Sequence, residues 1–170
     1  MDGNNIRFLN SESIKSSSLN DLQEVSLRDC KIQKVAEEAF SNMLLLTHIN
    51  LANNNLTKLP NNIFSGNDEL KTLILSGNQI SMLIAYQFPP LMSLKKIDLS
   101  NNAMRFIDPK AFMNLGTSVE IVDLRGNILR TIGRETFFPL HQLQVSCILK
   151  RVFSKFLLSA SFPHEQFMEL

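Results

Sequence analysis

The sequence predicts an α/β solenoid in which a curved parallel β-sheet lines the concave side and short 3₁₀ or extended segments cover the convex side. Three observations carry this reading. Apolar residues recur at a fixed step, with units beginning at Leu22, Leu46, Leu70, Leu94, Val119 and Leu143, so the steps are 24, 24, 24, 25 and 24. The first five units follow LxxLxLxxNxLxxLxxxxF at all 35 pattern positions, Cys30 standing for the Asn of the first unit. Pro60, Pro89, Pro90, Pro109 and Pro139 all fall in the second halves of units, which argues against long helices there.

Each element of the unit has a physical reason. In LxxLxL the fourth and sixth positions alternate as in a strand and point inward, while the residue between them points out. One unit cannot bury its apolar side alone, but units laid on one another enclose a continuous column of Leu, Ile and Val. The ninth position falls where the chain turns off the strand and backbone groups become buried. An Asn there offers two donors and an acceptor, so a stack of such amides satisfies neighbouring turns. The thiol of Cys30 is a weaker partner, and the sequence predicts a looser first turn. The Phe at position nineteen of every unit predicts an aromatic spine on the convex side, with some edge-to-face contacts.

Three segments follow from this alignment. Residues 1–21 read as a partial leading repeat, with Asn4 at the Asn position, Ile6 and Leu9 following, and Ile14 near the Phe position. Residues 22–144 hold five repeats and the start of a sixth. Residues 145–170 are a non-repeat tail with two readings. Gln144-Val145-Ser146 can be encoded by a run matching a splice donor, which makes the tail translated intron; alternatively it is a degenerate cap, since 14 of its 26 residues are apolar.

Composition removes several classes. With 17 Lys+Arg against 16 Asp+Glu the chain has no global field for nucleic acid or an anionic membrane. Two cysteines build no disulfide framework, and Cys30 and Cys147 lie in units about 24 Å apart, beyond disulfide reach. No Cys/His spacing suggests zinc, no cofactor motif is present, and no Ser/His/Asp or Cys/His arrangement coheres across units, so no enzyme is expected. The start Met1-Asp2-Gly3-Asn4-Asn5 lacks the features of a signal peptide, and the uncharged stretch Phe156–His164 is too short to span a bilayer.

The repeated motif, plainest at Leu99-Ser100-Asn101-Asn102, resembles the leucine-rich repeat family, and within it the typical class of about 24 residues with a Phe at position nineteen. The resemblance covers Leu22 to Gln144. The spacer Asn114–Glu120, which lengthens one unit to 25 residues, is similar to a linker in chaoptin-like invertebrate adhesion proteins. That class implies an extracellular or cell-surface parent, itself membrane-anchored or secreted, that binds a protein through its concave face in adhesion or ligand recognition. The alternative is an intracellular adaptor or inhibitor of the same fold.

Positions two, three, five, seven and eight of each unit are expected to face solvent on the concave side. They carry five positive and five negative charges, a balance unsuited to heparin or nucleic acid and suited to a protein partner. The candidate contact residues are His48, Asn50, Lys71, Thr72, Ile74, Lys95, Lys96, Asp98, Ile121, Asp123 and Arg125. Lys71, Lys95 and Lys96 are expected in one column, with His48 beside Lys71. No carboxylate is buried by the pattern, so none is expected to have a shifted pKa. Asn55-Leu56-Thr57 is the single glycosylation sequon, a weak signal in a chain this rich in Asn, Ser and Thr.

Overall fold

The computed structural model describes residues 1–10, 21–41, 43–116 and 118–143. The tail, Cys147 and Ile14 therefore lie outside the described residues. Short strands follow one another as β1 (Phe8–Leu9), β2 (Glu24–Ser26), β3 (Lys34–Val35), β4 (His48–Asn50) and β5 (Thr72–Ile74). β6 (Met82–Leu83), β7 (Lys96–Asp98), β8 (Phe106–Ile107) and β9 (Ile121–Asp123) complete the order. One 3₁₀ turn, Arg134–Phe137, is the only helical element among the described residues.

The main sheet has five strands in the order β2-β4-β5-β7-β9, each parallel to the next. Its register places Val25, Ile49, Leu73, Ile97 and Val122 side by side. A second ladder runs along the outgoing side of the coils, where β1 pairs with β3 and β6 with β8. Both ladders are parallel because each coil returns to its starting point one strand spacing further along, which is the geometry that a fixed step of 24 requires.

The inward positions behave as the alternation demands. Leu27, Leu51, Leu75, Leu99 and Leu124 form a single buried file, none more than 1% exposed. Behind them Phe40, Phe64, Phe88, Phe112 and Phe137 fill the outer half of the core. The rings stack face to face and not edge to face: Phe40 on Phe64 at 6.1 Å and 18°, Phe88 on Phe112 at 5.9 Å and 8°, Phe112 on Phe137 at 5.9 Å and 17°. Repetition explains the difference from expectation. The same rotamer on a translated backbone gives parallel planes, whereas an edge-to-face pair needs neighbouring coils to choose different χ angles.

The Asn ladder joins the coils at their sharpest bend. Asn78 Nδ2 donates to the carbonyls of Leu51 (2.9 Å) in the coil below and Leu75 (3.0 Å) in its own, and its Oδ1 accepts the Leu56 N–H at 3.0 Å. Asn54, Asn102 and Asn127 repeat this arrangement on the equivalent carbonyls. The residue before each ladder position takes a left-handed backbone, φ 57° at Asp29, 54° at Asn53, 68° at Gly77, 52° at Asn101 and 69° at Gly126. Only Gly, Asn and Asp occupy it, the residue types that tolerate this region most readily. A Cβ on Gly77 or Gly126 would also collide with Oδ1 of Asn53 or Asn101.

At Cys30 the ladder changes. The thiol donates to the carbonyls of Met1 (3.1 Å) and Arg28 (3.3 Å), and Lys31 takes a second left-handed conformation, φ 58°, that no other tenth position adopts among the described residues. Asn54 Oδ1 compensates by accepting both the Cys30 and Ile32 N–H groups.

Replacing Asn78 by Leu leaves one buried N–H and two carbonyls without their partner, and should cost about 3 kcal/mol or more. Phe88→Asp should be at least as damaging, because it removes a stacked ring and buries a carboxylate. Lys71→Ser, at an exposed position, should stay within about 0.5 kcal/mol of the parent. Urea titration of the three variants checks the order; a Lys71 variant less stable than the Asn78 variant would overturn the inward and outward assignments.

Candidate functional site

The concave wall is built by β2, β4, β5, β7 and β9, so its side chains sit on a hydrogen-bonded lattice with fixed spacing. His48 is in register with Glu24 and Thr72, Lys96 with Thr72 and Ile121, and Asp98 with Ile74 and Asp123. Lys71 and Lys95 occupy the same position of adjacent coils and share the Lys95 N–H to Lys71 carbonyl bond. Lys96 belongs to the next column, beside Thr72, so the expected single column of three lysines resolves into a pair plus one. His48 likewise neighbours Thr72, and its Nδ1 lies 2.8 Å from Thr47 Oγ1 and 3.7 Å from Glu24 Oε1.

Three of the expected contact residues hold the backbone instead of standing free. Asn50 Oδ1 accepts the Ala52 N–H, Asp98 Oδ1 accepts the Ser100 N–H, and Asp123 Oδ1 accepts the Arg125 N–H, each at 3.0 Å. The fifth position of these coils thus caps the seventh, an Asx turn that ends the strand. The first coil uses the same device from outside, since Asp2 Oδ1 accepts the Arg28 N–H at 3.0 Å and the Ser26 hydroxyl at 2.6 Å. Ser26 thereby joins with its own hydroxyl to hold Asp2. Ala52 and Ser100, expected to face solvent, are buried by this folding-in of the strand end.

Asp123 corrects the expectation that no carboxylate is buried. It is 5% exposed and takes a forked Arg125 guanidinium, Nη2 at 2.6 Å from Oδ2 and Nε at 3.0 Å from Oδ1. Burial pushes its pKa up, but the side-chain and backbone hydrogen bonds from Arg125, with the charges of Arg125 and Lys96, outweigh burial and hold the carboxyl below its ordinary value. The signal was present in the sequence as Asp-x-Arg at positions five and seven; it was missed because strand alternation alone assigns position five to solvent.

The wall neutralises itself. All four ion pairs among the described residues lie on it: Arg28 with Asp29 (2.9 Å), His48 with Glu24 (3.7 Å), Lys95 with Glu120 (2.8 Å) and Arg125 with Asp123 (2.6 Å). Between them Thr72, Ile74, Lys96 and Ile121 are half-exposed, and Lys71 is exposed. No group of three or more metal-ligating side chains occurs among the described residues, and none of their helices is long and apolar enough to cross a membrane. Asn55 is exposed on the outgoing side, with its N–H held by the Ile32 carbonyl at 2.7 Å and its side chain clear of the ladder.

A parallel solenoid with one buried amide per coil and one wide polar wall defines a repeat scaffold whose usable surface is a wall and not a cleft. The chain belongs to the leucine-rich repeat family, whose family model matches residues 20–80, 68–121 and 93–145. It is similar to transforming growth factor beta activator LRRC33 of Danio rerio, 32% identical over 122 residues, covering 72% of this chain and 17% of that protein. It is also similar to leucine-rich repeat-containing G-protein coupled receptor 5 of Rattus norvegicus, 29% identical over 149 residues, 88% of this chain and 16% of the receptor. Leucine-rich repeats and immunoglobulin-like domains protein 3 of Homo sapiens is 33% identical over 135 residues, 77% of this chain and 12% of that protein. The chain therefore spans about one sixth or less of these three relatives.

Asp123 gives this wall a pH signature. A folded-state pKa below the unfolded one contributes stability that is complete above the ordinary carboxylate range, about pH 4, and is lost as pH falls through the folded pKa. Asp123→Ala should therefore be less stable than the parent near pH 7, with the difference shrinking on acidification below about pH 4. Thermal melts of both proteins across that range measure it; a difference that does not change with pH would show that the Arg125 pair contributes nothing to folding.

Proposed function

We propose that this chain is part of the ectodomain of an extracellular or cell-surface receptor or adhesion protein, and that it binds a protein ligand through the concave wall. The observation that carries the reading is the wall itself, a rigid lattice in which four ion pairs already match most of the charges. Such a surface gains little from net charge, so affinity must come from shape and a few buried anchors. Ile74 and Ile121, flanked by Lys71, Thr72, Lys95 and Lys96, are the half-exposed groups suited to that role. His48 and the outer nitrogens of Arg125 supply the polar rim. Asn50, Asp98 and Asp123 contribute by fixing where these side chains stand. The similarity to receptor and activator proteins supports a binding role over a catalytic one, and an extracellular parent is the matching location. A glycan on Asn55 would stand away from the wall, compatible with that location.

The test is an array of secreted and cell-surface ectodomains probed with the chain and with Lys96→Glu/Ile121→Asp. Ligands found with the parent should bind the double variant about tenfold or more weakly, since one anchor and the lysine flanking it are lost. Ligands that ignore these changes but respond to Asn61→Arg on the convex side would sink the assignment of the face.

A further inference from the structure

The near-zero net charge of the chain conceals a separation in space. Positions ten to thirteen lie where each coil leaves the concave strand, and positions twenty to twenty-four where it comes back, so the two sets occupy the two opposite flat sides of the solenoid. The outgoing side carries Arg7, Lys31, Lys34, Lys58, Arg105 and Arg130, all exposed, with no carboxylate at these positions in any described coil. None of the six forms an ion pair among the described residues, in contrast to the concave wall. The returning side carries exposed Asp21, Asp68 and Glu69 and no Lys or Arg among its described residues.

Exposed apolar groups lie on both flat sides. Met82 and Phe106, paired in register, are 47% and 51% exposed on the outgoing side. On the returning side Met92 and Met113 are 64% and 47% exposed. In three middle coils the two sides complement each other: Lys58 belongs to the same coil as Asp68 and Glu69, Met82 to that of Met92, and Phe106 to that of Met113, while in the coils to either side Lys31 and Lys34 share a coil with exposed Leu44 and Leu45, and Arg130 with exposed Phe138.

We infer that the outgoing flat side docks onto the returning flat side of a second copy of this chain, the two solenoids lying parallel and in the same coil register. In that arrangement Lys58 of one copy meets Asp68 and Glu69 of the next, with Lys34 one coil away, and the Met82–Phe106 pair covers Met92 and Met113. Because the two surfaces differ, the contact is head-to-tail and can add further copies, unlike a twofold dimer. The concave walls stay open and aligned. Exposed ion pairs are individually weak and screened by salt, so the association should be weak and lost as salt rises.

Sedimentation velocity on the 170-residue chain reads this directly. The weight-average sedimentation coefficient should rise with concentration at low salt and not at high salt. Lys34→Glu/Lys58→Glu sets carboxylates against Asp68 and Glu69, and Asp68→Lys/Glu69→Lys sets ammonium groups against Lys58; each variant alone should associate about tenfold or more weakly than the parent. Mixing the two variants should restore association, because the altered outgoing side of one then faces the altered returning side of the other. All four positions are exposed, so circular dichroism melts should match the parent and exclude misfolding. A parent that stays monomeric at low salt would overturn the proposal. So would variants that associate as strongly as the parent, which would put the contact elsewhere, or a mixture that shows no recovery.

Discussion

From the second repeat to the fifth each coil must turn off its strand against its own core, and one amide per coil, Asn54, Asn78, Asn102 or Asn127, makes that turn possible. At the bend the backbone bonds between coils pass over the sixth-position carbonyl and the eleventh-position N–H, and an orphaned backbone group there would cost as much as several good contacts contribute. Asn54, Asn78, Asn102 and Asn127 solve this with the same three partners each time, two carbonyls and an N–H, taken from their own coil and the one below. Because the reach of an Asn side chain is fixed, the ladder also fixes the height of a coil and its register with the next. The leucine file and the phenylalanine stack then follow, since both require equivalent atoms to lie over one another.

That coupling explains which features could be read from the sequence. Inward positions announce themselves through repetition, because a polar substitution at Leu75 or Phe88 has nowhere to go. The left-handed eighth position is equally visible, being restricted to Asp, Asn and Gly. The ring geometry was misjudged because it depends on how each ring is turned against the one in the next coil, which composition does not encode. At Cys30 the sequence predicts a looser turn, but the structure closes it by means the sequence does not display: Asn54 of the following coil supplies the extra acceptor contact, and an extra left-handed residue falls at Lys31.

The candidate wall was only half visible for a related reason. Strand alternation places a side chain on a face but does not say what it bonds there. Asn50, Asp98 and Asp123 share the face with Thr72 and Ile74, yet their short polar groups reach the N–H two residues ahead and leave the surface available to others. Asp123 goes further, exchanging solvent for the Arg125 fork. A single sequence separates these cases only if the Asx turn is weighed along with the strand period.

The distribution of charge gives two surfaces of one scaffold a different electrostatic reach. On the concave wall each cation has an anion within a coil or two, so its field is cancelled at short range and a partner must come close before the wall discriminates. The outgoing flat side keeps six cations without an ion-pair partner among the described residues, in five of its six coils, and acts over a Debye length, about 8 Å in physiological salt. The position of Asn55 sharpens the contrast. It lies at the tenth position of the second repeat, on the basic side and off the wall. A glycan there would leave the concave surface accessible while standing in the path of any copy approaching the basic side. The same fold thus permits a covalent modification to govern one surface without touching the other, because a coil of 24 residues presents its wall and its sides at different positions of one repeat.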